Sequence, residues 1–292
     1  MRNSIKTELK LLIFKNGSVI NLFIAINVFF FLFVNLVRLG EWIPNPHTSY
    51  PILHWIELNT FLPTDLKQFI TKPWTLISYM FMHEDIFHIL FNMLILFFIG
   101  KIFEEYLGER KFTFVYLCGG MAGGLLALTL YKIIPALSSL ASESVILGAS
   151  AGVMAIVAAT ATLLPNYSIF FIFIGSVPLK WIALAYFFLD LISIRIGNPG
   201  GHITHLGGAM LGFFYINQLN KGNDWAAPFV KLFQKKHKTN MKVVSRLTRT
   251  PVAPEKNKEQ IVDEILDKIS KTGMESLSEK EKQTLKKASQ DI

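Results

Sequence analysis

The chain has 292 residues and a net charge of +8; 51% of its residues are hydrophobic, 13% aromatic and only 17% charged. A soluble domain of this length carries more charge and shorter apolar runs, so an ordinary water-soluble protein is excluded. The single cysteine, Cys118, rules out an intrachain disulfide and lies in an apolar run, where it reads as a small buried hydrophobe.

Residues 1–17 carry Arg2, Lys6, Lys10 and Lys15 and read as a cytoplasmic amino terminus. The apolar segment 18–37 follows. It is long, and Val37-Arg38-Leu39 offers no small-residue cleavage site, so it reads as a retained signal anchor. A long loop then runs to about Asp85. Its Trp42, Trp55 and Trp74, scattered among prolines and polar residues, suit the headgroup region. Further spans are expected at 86–103, 112–134, 147–164, 177–194 and 203–219, near the roughly 18–20 residues that cross a ~30 Å hydrocarbon core. The apolar stretch Ile169–Ile174 is too short to span and reads as an interfacial loop. Residues 18–220 are thus expected to form a six-helix, all-α membrane domain.

Lysine and arginine set the direction. The amino terminus, the turn with Lys101, Arg110 and Lys111, the loop before Lys180 and the tail fall on one side. The other side has only Arg38, Lys67, Lys72, Lys132 and Arg195. A multi-pass protein of the cell membrane with both ends cytoplasmic is expected. Residues 221–250 hold eight basic residues between Lys221 and Arg249 against one acid, Asp224. Their position beside the last span points to anionic lipid headgroups and not to nucleic acid. In residues 251–292, Ile261, Val262, Ile265, Leu266 and Ile269 repeat at helical spacing. Gly273 breaks the pattern, and Ser278 followed by Glu281 signals a capping box. A small cytoplasmic helical hairpin or tail is expected there, with docking or homo-oligomerisation as its candidate roles.

With this direction, spans two, four and six enter from the outer side. They bring His88, Asn92, Ser150 and His205 to similar depth. Ionisable side chains are costly inside a bilayer and usually line a site. A serine hydroxyl becomes a useful nucleophile when a base takes its proton, and histidine suits that task. His88 and Asn92, four apart, share a helix face and could aim an imidazole and an amide at a developing oxyanion. The N–H of Ser150, at a helix start, is a further donor. Gly148-x3-Gly152 and Gly208-x3-Gly212 are spacings that let helices touch along their backbones.

These residues resemble the rhomboid intramembrane serine proteases over about residues 70–215. The resemblance is carried by His83-x4-His88-x3-Asn92, Gly100-x3-Glu104-x3-Gly108, Gly148-Ala149-Ser150-Ala151-Gly152 and His205-x2-Gly208-x3-Gly212. It implies Ser150 as nucleophile and His205 as general base in a dyad without a third carboxylate. It implies an oxyanion hole from His88, Asn92 and the Ser150 amide, and a structural role for His83. It also implies hydrolysis of peptide bonds in or next to transmembrane segments of other proteins, without metal or other cofactor, at a site opening to the outer side. Two positions depart from the family pattern: Met154 replaces an aromatic residue that stacks on the base, and Trp74-Thr75 replaces a Trp-Arg pair.

Other readings are weaker. His83-Glu84 with His88 is not a zinc motif, because the histidines are five apart and diverge on a helix. His202 and His205 are three apart with no carboxylate expected beside them. Asp190 stands alone near the outer end of span five, where pairing or snorkelling toward water is expected. A transporter would show repeats or charged midplane residues. A catalytically silent relative that binds or escorts transmembrane helices would keep the same fold. Tyr186, Phe187 and the run Asn198-Pro199-Gly200-Gly201 read as gate elements, the latter a freely moving loop.

Overall fold

The computed structural model describes residues 18–44, 50–232 and 258–289. The basic amino terminus (1–17), residues 45–49, the part of the basic linker from 233 to 250, and residues 251–257 and 290–292 lie outside the described residues. The chain is mostly helical and divides into two compact units at about residue 235.

In the first unit α1 (Val19–Trp42) is apolar all round, with Phe29, Leu32, Phe33 and Leu36 exposed and Ile20, Phe23 and Val34 buried. Its start is fastened by a carboxylate: Ser18 Oγ donates to Glu104 Oε2 at 2.7 Å and Val19 N to Oε1 at 2.8 Å. The loop that follows is folded. It contains α2 (Pro51–Thr60), β1 (Leu62–Pro63), α3 (Leu66–Thr71) and α4 (Thr75–Ser78), which runs into a 3-10 turn at Tyr79–Phe81. Glu41 holds the start of α2 by accepting from Ile52 N and Leu53 N. Trp74 Nε1 donates to Asn59 O at 2.9 Å, while Thr75 is fully buried and donates to Lys72 O. β1 pairs antiparallel with β2 (Val145–Ile146), Leu62 opposite Ile146, so this loop braces the segment before Ser150.

α5 (Ile86–Leu107) is capped by Asp85, which accepts from Phe87 N and His88 N. Gly108 turns the chain into α6 (Glu109–Ile133), and the short α7 (Pro135–Ser138) follows. α8 (Ser150–Leu163) is the central helix, with almost every residue from Ala151 to Ala161 buried. After β3 (Ser168–Phe171) and β4 (Gly175–Pro178) come α9 (Leu179–Ser193), α10 (Pro199–Asn220) and α11 (Ala227–Leu232).

Among the described residues, α1, α5 and α6 are long and apolar enough to cross a membrane. The expected fourth span is only 14 residues of helix. Residues 147–149 are not helical, because Gly148 takes φ 128° and donates its N–H to Tyr79 O. The stretch at 169–174 is a β-hairpin and not a loop: β3 and β4 pair from Ser168–Pro178 to Phe171–Gly175, with Ile172, Phe173 and Ile174 exposed at the tip. α9 therefore begins at Leu179 and has 15 residues.

The run at 198–201 is also not a free loop. Proline's fixed φ suits the first helical position, and Pro199 opens α10 there. Asn198 is the cap: it takes the left-handed conformation (φ 46°) and its Oδ1 accepts from Gly201 N at 3.0 Å. Gly200 and Gly201 are buried in the first turn. Past α10 the chain folds back within the first part of the basic linker. Asp224 pairs with Lys111 at 3.1 Å and accepts from Tyr215 OH, and Phe229 packs on Phe114.

Helices α6, α8 and α10 meet along small residues. A Cβ added at Gly208 would overlap the Ala151 carbonyl oxygen, and one at Gly212 that of Ala155. On α6, Gly123 faces Ala151 and the Thr204 carbonyl in the same way. Such closeness excludes every side chain larger than hydrogen.

The second unit contains α12 (Lys258–Thr272), a 3-10 turn at Met274–Ser276 and α13 (Glu279–Ala288). Gly273 supplies the left-handed break (φ 81°). The capping box is present: Glu281 N donates to Ser278 Oγ and Ser278 N to Glu281 Oε2. Ile265 and Leu277 form its small core, and Lys268 bonds Glu281 across the hairpin at 2.9 Å.

Candidate active site

Ser150 is the first residue of α8, so its N–H has no intrahelical acceptor. The turn before it is set by Gly148, whose positive φ is strained for any residue with a side chain. The free face of Gly148 is occupied. A Cβ there would stand 2.8 Å from His88 Nε2 and 3.4 Å from Ser150 Oγ. Both side chains thus flank one small volume. His88 is presented by the first turn of α5, whose direction the Asp85 cap fixes.

Asn92 is buried one turn further along α5. Its Nδ2 donates to the His88 carbonyl at 2.9 Å, so one amide hydrogen is spent on its own helix and one is left for a ligand. His83 lies beneath the turn. Its Nε2 faces Ala149 N at 3.5 Å and its ring meets that of His88 edge-on at 5.0 Å. Burial, and then the neighbouring His88, push the His83 pKa down to about 3. It is therefore neutral near pH 7, with a nitrogen free to accept. Gly152 packs on Tyr116, where a Cβ would come within 2.9 Å of the carbonyl oxygen, and Met154 is buried one turn below Ser150.

His205 sits on the second turn of α10, which Gly208 draws against Ala151, the residue after Ser150. His205 Nδ1 lies 2.9 Å from Asp190 Oδ1, and His202 Nδ1 lies 2.8 Å from the same oxygen. Asp190 is 6% exposed and takes the paired alternative, not the snorkelling one. This corrects one expectation: the two histidines do have a carboxylate beside them. The donor atoms of Asp190, His202 and His205 lie within 4.8 Å of one another, close enough for one cation to bridge them. The signal for Asp190 was present in the sequence as the only acid of the apolar helix α9. What the sequence lacked was the rotation of α9 that turns it onto α10.

Ser150, His88, Asn92 and His83 therefore gather at the start of α8. The base candidate is held from behind by an acid on α9. The matches with known proteins run over this same stretch. The Rhomboid domain profile covers residues 71–221, more than half of the chain. A family of unknown function, DUF6576, matches residues 254–291. Among characterised sequences, RHOMBOID-like protein 1 of Arabidopsis thaliana is 29% identical over 220 residues, covering 68% of this chain and 51% of its own length. Rhomboid protein 1, mitochondrial, of Saccharomyces cerevisiae is 28% identical over 51% of this chain and 42% of its own length. Presenilin-associated rhomboid-like protein, mitochondrial, of Rattus norvegicus is 27% identical over 57% of this chain and 43% of its own. The chain thus spans about half the length, or less, of these relatives. With the profile covering every residue from His83 to His205 that the site brings together, the chain belongs to the rhomboid family.

Proposed function

We propose that the chain is an intramembrane serine endopeptidase that cuts other membrane proteins in or next to their transmembrane segments. The observation that carries this reading is Ser150 Oγ beside the His88 imidazole at the head of α8, with His205 on the helix packed against that head. His205 takes the Ser150 proton while Oγ attacks the scissile carbonyl. The oxyanion meets the Ser150 N–H, His88 and the free hydrogen of Asn92. One such donor typically contributes about 3–4 kcal/mol. His205 then protonates the departing amine, and water resolves the acyl-enzyme.

Helix length supports a site inside the bilayer. Fourteen residues of helix span about 21 Å, less than the ~30 Å hydrocarbon core. A central helix that short supports a Ser150 lying below the outer surface, reached through a water-filled depression. We read six spans in all, counting α8, α9 and α10 with the three longer helices. Both ends are cytoplasmic in a cell membrane, and the site opens to the outer side. Its partners are transmembrane substrates and lipids, not nucleic acid.

The test is cleavage of a single-span reporter in proteoliposomes, with EDTA present throughout because the chemistry needs no metal. Wild type is expected to cut near the outer end of the reporter helix and Ser150→Ala to leave it intact. Equal cutting by both would sink the reading. If neither cuts and a serine-directed covalent probe fails to label Ser150, the chain is instead a silent binder of transmembrane helices.

A further inference from the structure

The proposed dyad leaves two neighbouring groups without a task, Asp190 and His202. Asp190 lies one turn from the end of α9, and its side chain is 9% exposed. One of its oxygens, Oδ1, faces two imidazole nitrogens at 2.8 and 2.9 Å, while Oδ2 is buried without a hydrogen-bond partner. An aspartate side chain is ordinarily ionised near pH 7. An ionised carboxylate is acceptor-only and satisfies both rings, provided each carries its hydrogen on Nδ1.

We propose that Asp190 is the positioning residue of the base, so that the site works as Ser150, His205 and Asp190 drawn from α8, α10 and α9. This rests on the Ser150–His205 reading above. A neutral imidazole holds one hydrogen. With that hydrogen on Nδ1 and bonded to Asp190, the lone pair of His205 is on Nε2, the nitrogen left to face Ser150. In the attack step the Ser150 Oγ–H bond breaks, its proton joins Nε2, and Oγ–C forms as the carbonyl π pair moves to oxygen. His205 then carries a positive charge beside a carboxylate whose second oxygen is unpartnered. When the C–N bond breaks, the Nε2 proton leaves with the amine. The Nδ1 proton stays with His205 throughout, so Asp190 orients the ring and balances its charge without receiving a proton. His202, one turn earlier on α10, donates to the same oxygen and holds the carboxylate toward His205. The arrangement also bears on Met154. A ring tied from behind at Nδ1 has its plane fixed without an aromatic neighbour stacked on its face.

The experiment uses the full-length protein in detergent micelles with 15N-labelled histidine. A downfield Nδ1 proton on His205 is expected in wild type and in Ser150→Ala, and its loss in Asp190→Ala. In reporter kinetics, Asp190→Asn is expected to lower kcat by up to about 10,000-fold, the loss seen when a base is held in the wrong tautomer. KM is expected to stay near the wild-type value. Asp190→Glu should recover part of kcat, and His202→Gln should cost much less than Asp190→Asn. A wild-type His205 with no hydrogen on Nδ1 overturns the proposal, whether the nitrogen is bare or holds a cation that EDTA removes. So does an Asp190→Asn enzyme with unchanged kcat. The spectrum needs no catalysis and no variant at Asp190. It therefore reads the Asp190–His205 bond even if Asp190 variants do not fold. It also does so if Ser150→Ala remains active, in which case the protease mechanism fails separately.

Discussion

His83 shows how one buried side chain makes the site sensitive to acid. In the fold it is neutral, its pKa pushed down from 6.5 to about 3 by burial first and by His88 second. The unfolded chain restores the ordinary value. Between these two values the unfolded state binds a proton that the folded state refuses, so stability rises with pH across the window. The contribution is complete above pH 6.5 and falls away as pH drops toward 3. Thermal unfolding in micelles from pH 7.5 to 4.5 is expected to show a steeper loss for wild type than for His83→Asn. Parallel curves would remove His83 from this role. At this scale the sequence marked out its candidates. Ser150, His88 and His205 stand out because each is a polar residue inside an apolar run, and the rows of glycine beside them show where backbones meet. The partner of His205 was not legible. Asp190 and His205 are 15 residues apart on different helices, and helical periodicity gives each helix a buried face without saying how two faces are turned to each other.

Elements were legible in kind and less so in extent. The start of α8 at Ser150 and the capping box at Ser278 follow from local rules. The non-helical residues before Ser150 do not. They are held by Tyr79 and by strand pairing with Leu62, contacts from far along the chain. The hairpin at 168–178 hid inside an apolar run because its pairing depends on a turn at Gly175, which sequence spacing alone leaves ambiguous with a loop. At 198–201 flexible residue types were misleading, since Asn198 and Pro199 begin a helix as well as they break one. Asn198→Ala is expected to cost about 1 kcal/mol, the usual loss for a side-chain cap. Faster amide exchange in residues 200–203 would accompany it, and unchanged exchange would mean the cap is idle. The contact between α8 and α10 makes a larger demand. Gly208→Val forces apart the backbones of α8 and α10, the helices that carry Ser150 and His205. It is expected to destabilise by about 1–3 kcal/mol and to abolish reporter cleavage. A variant with wild-type melting and turnover would show that the close approach is dispensable.

On the scale of the whole molecule, the division near residue 235 separates the chemistry from the carboxy-terminal hairpin. Every residue assigned to the site lies in the first unit, so a chain ending at 235 is expected to cut the purified reporter at the wild-type rate in proteoliposomes. A large loss would assign the hairpin a part in turnover. Composition and the run of apolar segments made the membrane character of the first unit plain. They overstated the helical length of its later segments, because apolar residues also fill a hairpin and a braced turn. One fastening in this unit bears on how the protein is made. The amide and hydroxyl at the start of α1 are satisfied by Glu104, 86 residues beyond Ser18. At typical synthesis rates that carboxylate leaves the ribosome on the order of ten seconds later. The start of α1 is therefore fastened only after α5 has been synthesised, and the nascent chain spends that interval with these two donors turned to water or to other partners.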